Sequence, residues 1–515
     1  MKIKKIFKYF FVIITFIILF LSIYIDKKFN NISFEQLIYT IFTSEGTSMS
    51  AIIGGIIFVL IGTIIAIFSF IILKKVILKI INKNKIHTYL SFKYKKKNLT
   101  IDLFKPTRRK NKYLLVVFLM IIIIISIKIL GIDEYIKLQI NRTSIFEDYY
   151  IDARDVKIKF PKEKKNLIYI YVESLEMTNA SIENGGGVEK SYIPNLEKLA
   201  LNEKNINFSN TSKLGGALPL VGTEWTAAAM ISQTSGVPLK ISIDSNCYYN
   251  YGDSLPGIYN LGDILKENGY NNYLFIGSDA EFGGRKDYFT YHGQYKIYDY
   301  NYAKKNKWIS DDYYVWWGYE DKKLFEFAKK TLLDISKEDE PFNFTLLTAD
   351  THFVDGYMDD SCEKNFDKKY ANSFNCSDSK LYDFISWIKK QDFYKDTIVI
   401  LVGDHLTMQQ NFYTELDSNY VRSIYNLFIN SEASPFNKHN RLFSSFDLFP
   451  TTLAALGAEI GGDRLGLGTN LFSKKTTLIE ELGYEYFNEE LKKKSFFYDN
   501  NLLGDTYYEM KKEKN

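Results

Sequence analysis

The chain has only three cysteines among its 515 residues, and their arrangement excludes a zinc knuckle. Cys362 and Cys376 lie close together in a polar segment, but no histidine falls between them. They could close a disulfide in an oxidising compartment or remain two free thiols, and Cys247 would then be left over. The sequence also lacks internal repeats and low-complexity tracts, which excludes a repeat architecture.

The first apolar segment has no small-residue cleavage site after it, so it is not a removable signal peptide. Three segments have roughly the length and composition of membrane-spanning helices, and buried core helices explain such lengths less well. They are Ile6–Ile25, Ala51–Leu73 and Tyr113–Leu130. Lys128 lies close enough to the end of the third segment to reach water. Residues 1–132 are therefore predicted to form a transmembrane region.

The net charge of +4 conceals a strong asymmetry along the chain. Residues 1–112 carry 20 Lys and Arg against 4 Asp and Glu, whereas the remainder carries 45 against 57. Most of the basic excess lies between the second and third apolar segments, which predicts a cytoplasmic loop and places everything after Leu130 outside the membrane. Attraction to an anionic leaflet explains this loop, so we expect no nucleic-acid partner.

Strand-like and helix-like segments alternate after a polar connector at residues 133–165. This alternation predicts an α/β domain with a largely parallel sheet over residues 166–475, followed by a charged, helix-prone and peripheral tail at 476–515. The predicted strands are Asn166–Val172, Asn272–Ile276, Phe342–Thr348, Thr397–Val402 and Ile424–Ile429. The predicted helices include Ile193–Asn202, Ile258–Glu267, Asp321–Lys337 and Lys380–Gln391.

Acidic and imidazole side chains follow two of these strands directly. Glu173 follows the first strand, and Asp404 and His405 come just after Thr397–Val402 and Gly403. Ligands bind at the carboxyl ends of strands in open α/β sheets, so these residues suggest a metal site. A structural hydrogen-bonded pair is the alternative for an isolated Asp-His sequence.

A threonine at the start of a predicted helix is a candidate nucleophile. Thr223 and Thr226 both lie just before the helix-favouring run Ala227-Ala228-Ala229-Met230. A bound cation would remove the hydroxyl proton, and the helix terminus would steady the phosphate oxygens. An ordinary helix-capping threonine is the alternative.

These motifs together resemble those of membrane phosphoglycerol transferases in the alkaline-phosphatase/sulfatase superfamily. The order Glu173, Thr223 and Asp404-His405 is similar to lipoteichoic acid synthases. The runs Glu173-Ser174-Leu175-Glu176, Thr348–His352 and Cys376-Ser377-Asp378 are closer to the transferase that decorates periplasmic glucans. The distance to Gly236-Val237-Pro238 favours Thr223 over Thr226 in this resemblance.

The resemblance implies N-terminal transmembrane helices, a sulfatase-like extracytoplasmic domain and one divalent cation. Manganese is expected first, with magnesium or zinc as alternatives, held by Glu173, Thr223, Asp404 and His405. It also implies phosphatidylglycerol as donor, a glycan acceptor, and a multi-pass location in the cytoplasmic membrane with the catalytic domain outside. Substrate contacts are expected from Arg285 and His352.

The chain departs from the polymer-making synthases at Ile276 and Gly283, where those enzymes use His and Trp, which argues against lipoteichoic acid polymerisation. Phosphoethanolamine transfer, a sulfatase or phosphodiesterase activity, and a non-catalytic membrane scaffold are the other hypotheses. A sulfatase needs a Cys or Ser followed by x-Pro-x-Arg, and no cysteine here has that context. His292 and His439 are expected to be structural or loop residues, and His87 lies in the cytoplasmic loop.

Overall fold

The computed structural model of the chain describes residues 2–29, 49–84, 88–94, 97–104, 112–240, 255–409 and 411–504. The chain divides into two compact units, Met1–Ile140 and Asn141–Asn515. The second unit therefore begins inside the segment that the sequence suggests is a connector. Cys247 and His87 lie outside the described residues.

The first unit contains the long apolar helices. Its elements are α1 (Lys2–Phe29), α2 (Met49–Asn84), β1 (Thr88–Tyr94), β2 (Lys97–Phe104), α3 (Lys112–Ile129) and α4 (Ile132–Ile140). Two stretches are long and apolar enough to cross a membrane, Tyr9–Lys27 and Ile53–Leu73. The third predicted span is a bent pair, Val116–Ile129 and Ile132–Leu138, with 63° between its halves. It is a third span only if the bent pair crosses as one.

Aromatic contacts join the three apolar helices of this unit. The Phe70 and Phe118 rings stack with centroids 4.9 Å apart, and the Phe16 ring lies 6.3 Å from each of them. Many isoleucine side chains on these helices are exposed, such as those of Ile56 and Ile64. An apolar exterior of this kind is suited to lipid rather than to water.

A six-stranded sheet forms the centre of the second unit. The strands of this unit are β3 (Ile158–Lys159), β4 (Asn166–Val172), β5 (Asn271–Ile276), β6 (Lys296–Tyr298), β7 (Phe342–Leu347), β8 (Thr397–Gly403), β9 (Asn426–Ile429), β10 (Glu459–Ile460), β11 (Arg464–Leu465) and β12 (Gly468–Thr469). The sheet order is β6-β5-β7-β4-β8-β9, and only the β8–β9 pair is antiparallel. The continuous apolar runs are buried on both faces, as a parallel sheet covered by helices requires. The predicted α/β architecture is confirmed.

The second unit also contains helices. They are α5 (Ile145–Tyr149), α6 (Pro194–Leu201), α7 (Thr226–Ser235), α8 (Leu261–Glu267), α9 (Arg285–Tyr291), α10 (Tyr300–Lys305), α11 (Asp321–Ile335), α12 (Lys369–Ile388), α13 (Leu448–Ala455), α14 (Leu478–Leu482) and α15 (Tyr484–Lys492). Helix α12 begins eleven residues before its predicted start at Lys380, because the buried Tyr370 and Phe374 anchor a stretch of weak helix formers.

The described part of the C-terminal tail, residues 476–504, is not peripheral, contrary to the sequence-based expectation. Phe487, Leu491 and Tyr498 are buried. The Tyr498 hydroxyl donates to the Pro238 carbonyl (2.7 Å) and accepts from the Lys240 backbone N–H (2.9 Å). The tail therefore packs against the segment that follows α7.

A disulfide joins Cys362 to Cys376, which resolves the choice between a disulfide and two free thiols. Cys376 lies on α12, while Cys362 lies in the segment that follows Thr348–His352. The bridge therefore restrains the connection between the end of β7 and the helix.

Candidate metal centre and nucleophile

Three ligand-type side chains meet at the carboxyl ends of β4 and β8. The two strands are adjacent and parallel, with Val172 paired to Gly403, so the residues that follow them leave the sheet side by side. His405 Nε2 lies 3.5 Å from Glu173 Oε1 and 3.4 Å from Asp404 Oδ2. One ligand atom from each residue lies within 4.8 Å of the others, and all three residues are buried. The register thus brings together three of the residues that the sequence suggests as ligands.

The hydrogen bonds around Asp404 orient one oxygen toward the cluster. Asp404 Oδ1 accepts from the backbone N–H groups of Ser174 and His405, at 2.7 Å each. Its Oδ2 is buried and has no hydrogen-bond partner within the described part of the chain. An orphaned carboxylate oxygen is costly, and a cation would satisfy it.

His405 is held in a tautomer that suits metal binding. Its Nδ1 lies 2.8 Å from the Leu406 carbonyl, which can only accept, so Nδ1 carries the proton. Nε2 is then the unprotonated nitrogen, and it faces Glu173 and Asp404. A second-sphere carbonyl of this kind commonly fixes metal-binding histidines.

The electrostatics describe a site that favours a positive charge. Burial, reinforced by the charge of Glu173, raises the pKa of Asp404 to about 7. Burial alone would raise the pKa of Glu173, but the charges of His352 and His405 outweigh it and the pKa is lowered. Burial opposes protonation of His405, yet the neighbouring carboxylates raise its pKa. Two carboxylates and an imidazole form a donor set that fits a divalent cation.

Thr226, rather than Thr223, contacts this cluster. Thr226 is the first residue of α7, and its Oγ1 lies 3.2 Å from Glu173 Oε2 and 3.5 Å from His405 Nε2. The Thr223 hydroxyl instead donates to the Leu220 carbonyl (2.7 Å) and accepts from the Leu220 backbone N–H (3.2 Å). The Thr223 hydroxyl therefore closes the loop that precedes the helix and makes no contact with the cluster among the described residues, and the identity of the nucleophile stays a prediction.

Helix α7 is fixed against the sheet close to the cluster. Gln233 Nε2 donates to the Gly403 carbonyl (3.1 Å), one residue before Asp404. The Tyr169 hydroxyl on β4 donates to Gln233 Oε1 (3.0 Å). Gly236 ends the helix with φ +70° in the left-handed region, where its missing side chain avoids steric cost. The position of Thr226 is therefore set by contacts that lie deep in the fold.

Of the two expected substrate contacts, His352 lies near the cluster and Arg285 lies near His352. His352 interacts electrostatically with Glu173, His405 and Arg285, and burial lowers its pKa. Its Nδ1 lies 2.6 Å from the Phe353 carbonyl. The buried Arg285 donates through Nη2 to the Asp279 carbonyl (2.7 Å) and to Ser278 Oγ (3.2 Å). Their role in substrate binding stays a prediction.

The sequence analysis assigned no role to an ion pair between the buried Glu176 and the half-buried Arg422, which lies beside the cluster. Arg422 donates to both oxygens of Glu176, and the Thr407 backbone N–H donates to Glu176 Oε1 (3.1 Å). This carboxylate therefore links the loop that carries Glu173 to the loop that carries His405. Glu176 belongs to a recognised run, but nothing in the sequence pattern singles out Arg422 as its partner.

Two other histidines have surroundings of a structural kind. His292 Nδ1 lies 2.8 Å from Asp263 Oδ2, and its Nε2 lies 3.2 Å from the Leu255 carbonyl. The His439 backbone N–H donates to Asn437 in a surface loop. Neither residue reaches the cluster through the contacts described.

Comparison with known proteins places this site in a family. The family model described as Sulfatase matches residues 165–458, which include the three residues of the cluster and Thr226. This chain belongs to the sulfatase family. The expected membership of the alkaline-phosphatase/sulfatase superfamily is thereby confirmed, and the site is a sulfatase-family site.

Curated relatives include two proteins named phosphoglycerol transferase I. The one from Salmonella choleraesuis is 30% identical over 337 residues, covering 63% of this chain and 41% of the relative. The one from Salmonella typhimurium is 31% identical over 280 residues, covering 52% of this chain and 34% of the relative. The chain therefore spans less than half the length of these sulfatase-family relatives.

Two solved structures also match. The lipoteichoic acid synthase LtaP of Listeria monocytogenes is 22% identical, with a TM-score of 0.49, covering 62% of this chain and 82% of that one. The lipooligosaccharide phosphoethanolamine transferase EptA of Neisseria meningitidis is 14% identical, with a TM-score of 0.47, covering 86% and 84%.

Proposed function

We propose that the protein transfers phosphoglycerol from phosphatidylglycerol to a hydroxyl of a glycan outside the membrane. The observation that carries the proposal is the position of the Thr226 hydroxyl, within hydrogen-bond reach of Glu173 and His405 at the start of α7. The names of the curated relatives support this headgroup. The apolar helices α1 and α2 support an enzyme held at the membrane, where such a donor resides.

A divalent cation fits the site, with Mn²⁺ our first expectation and Mg²⁺ or Zn²⁺ the alternatives. Glu173, Asp404 and His405 would hold it, together with the Thr226 hydroxyl. The ion would lower the pKa of that hydroxyl and offset the charge of a bound phosphate.

The first half-reaction moves the phosphoglycerol group onto Thr226. Its Oγ1 attacks phosphorus, an Oγ1–P bond forms, and the P–O bond to diacylglycerol breaks. The proton of the threonine ends on the diacylglycerol oxygen. The N-terminal N–H groups of α7 and the positive end of its dipole stabilise the charge on the phosphate oxygens.

The second half-reaction returns the enzyme to its starting state. An acceptor hydroxyl oxygen forms a bond to phosphorus, the Oγ1–P bond breaks, and the acceptor proton returns to Thr226. His352, which lies near the cluster, and Arg285, which lies near His352, are proposed to contact the phosphodiester in both halves.

The same geometry argues against a formylglycine sulfatase. The residue at the cluster is threonine, whereas formylglycine is made from cysteine or serine. In the part of the chain that the structure describes, Cys362 and Cys376 are joined to each other. Phosphoethanolamine transfer would use the same residues, and the headgroup of the product distinguishes it from phosphoglycerol transfer.

Mass spectrometry of the reaction with headgroup-labelled phosphatidylglycerol tests the proposal. The purified full chain, loaded with Mn²⁺, should release diacylglycerol and acquire a phosphoglycerol adduct on the peptide that contains Thr226. Added glycans should then receive the label. Phosphatidylethanolamine serves as the matched control donor. If the protein uses only this donor, the transferred group is phosphoethanolamine rather than phosphoglycerol. Inert behaviour toward both donors, in metal-loaded protein, would overturn the proposal.

A further inference from the structure

A tight turn at residues 315–318, called here the tryptophan turn, lies between the two expected substrate contacts. It contains two successive tryptophans, Trp316 and Trp317, to which the proposed reaction gives no role. The backbone N–H of Val315 donates to the Gly318 carbonyl (2.8 Å), and the Gly318 N–H donates to the Val315 carbonyl (3.0 Å). These two bonds close the turn.

The turn is connected to the segment that carries Arg285. Gly318 forms a β-bridge with Ser278, whose hydroxyl accepts a hydrogen bond from Arg285 Nη2 at 3.2 Å. A side chain on Gly318 would meet the Gly277 carbonyl at 2.3 Å, so only glycine permits this approach. The Trp317 ring lies 5.8 Å from the Phe282 ring, which in turn lies 5.7 Å from the Arg285 guanidinium.

The same turn is connected to the segment that carries His352. Trp316 Nε1 donates to the Ala349 carbonyl (2.9 Å), three residues before the histidine. The Trp317 and His352 rings are 4.6 Å apart between centroids. One short turn therefore contacts both the segment that carries Arg285 and the His352 ring.

Packing alone does not account for the turn. Trp316 has φ +60°, in the left-handed region that bulky residues enter only at a cost. Trp317 is only partly buried, although a large aromatic side chain gains most when it is fully covered. A strained turn that leaves the Trp317 indole half-exposed beside the His352 ring is the pattern expected of a binding element.

We propose that Trp317 determines specificity by forming the wall against which the alcohol esterified to the transferred phosphate packs. Beside it, His352 and Arg285 hold the phosphate oxygens, while the indole face covers the carbon chain of the alcohol. The ligand class is therefore the phosphate ester of a small neutral alcohol. This inference rests on the proposed function and adds a residue to its site.

Calorimetric titration of the metal-loaded full chain with two soluble probes, glycerol phosphate and inorganic phosphate, tests the role of Trp317. The parent protein should bind glycerol phosphate more tightly than inorganic phosphate. Trp317→Ala should weaken glycerol phosphate binding by about tenfold while changing phosphate binding much less, and Trp317→Phe should restore most of the difference. Tyr314→Ala, on the same segment and 65% exposed, is the matched control and should change neither.

A merely structural tryptophan would give a different result. Equal weakening of both probes in Trp317→Ala, or no weakening of either, would overturn the inference, as would a parent protein that does not distinguish the probes. Thermal unfolding of each variant verifies that it is folded. Turnover of labelled phosphatidylglycerol by the parent reports separately on the proposed function, so the two ideas can fail independently.

Discussion

Glu173, Asp404 and His405 directly follow two neighbouring strands, whereas Thr226 begins a helix that follows a long loop. The positions of the first three are fixed by strand register, because parallel strands end at the same edge of a sheet. The position of the threonine depends on the path of residues 202–225, which have little regular structure. The sequence analysis found all three strand-end residues and favoured Thr223, whereas Thr226 is the threonine that contacts them. The hydroxyl of Thr223, three residues before Thr226, instead forms hydrogen bonds with the Leu220 backbone.

The largest expected effect comes from comparing the two threonines. Thr226→Val should reduce phosphatidylglycerol turnover by roughly 10⁴-fold or more, since removal of a nucleophile leaves only residual catalysis. Its unfolding temperature should change little, because this hydroxyl supports no backbone turn. Diacylglycerol release and thermal unfolding measure the two quantities.

Thr223→Val is the matched control, because it makes the same substitution three residues earlier in the chain. It leaves the Leu220 backbone N–H without its acceptor and removes one of the two donors to the Leu220 carbonyl, so it should destabilise the protein by roughly 1–3 kcal/mol while retaining turnover in the folded fraction. Loss of turnover in Thr223→Val together with normal turnover in Thr226→Val would return the nucleophile to Thr223.

The next prediction compares Asp404, which follows a strand, with Asp447, which only supports a turn. Burial raises the pKa of both Asp404 and Asp447 to about 7. Asp447 accepts backbone hydrogen bonds on both oxygens, whereas Asp404 Oδ2 has no partner within the described residues. Asp404→Asn should therefore lower Mn²⁺ affinity by at least about a hundredfold, and Asp447→Asn should not. Calorimetric titration with Mn²⁺ measures the difference, and equal affinities in the two variants would remove Asp404 from the metal site.

The pH dependence of Mn²⁺ binding should follow Asp404. A proton on this carboxyl competes with the ion, so affinity should fall by up to about tenfold per pH unit below 7. The metal-free protein should show the opposite trend in stability. Because the folded carboxyl keeps a proton that the unfolded chain loses above its ordinary pKa of 3.8, stability should fall as pH rises from there to about 7. Urea unfolding with and without Mn²⁺ at pH 5 and pH 8 checks both signs.

The last prediction concerns the support of the strand-end loops and is measured as stability rather than as turnover or metal affinity. Arg422→Met leaves the buried Glu176 without its partner and should cost roughly 3 kcal/mol of unfolding free energy. Lys307→Met breaks an exposed pair with Asp311 and should have little effect. Urea unfolding compares them, and similar stabilities for both variants would show that the Glu176 link does not hold the loops.

Much of the fold is predictable from pattern, and the exceptions have physical causes. Strand β4 was predicted at its observed bounds, and β5, β7 and β8 within one residue, because apolar β-branched runs are unambiguous when both faces are buried. The three-residue edge strand β6 was missed, since so short a run carries no periodic signal. The start of α12 was missed because tertiary burial of Tyr370 and Phe374 overrides weak local propensity.

By itself the sequence determined which residue types are available for the chemistry and that the strands deliver three of them to one edge. That much follows from local patterns, since hydrophobic runs and their polar ends are written consecutively along the chain. Only the tertiary structure decided which threonine faces the cluster, which arginine pairs with Glu176, and that Trp317 lies beside His352. These choices depend on contacts between residues far apart in sequence, which no local pattern encodes.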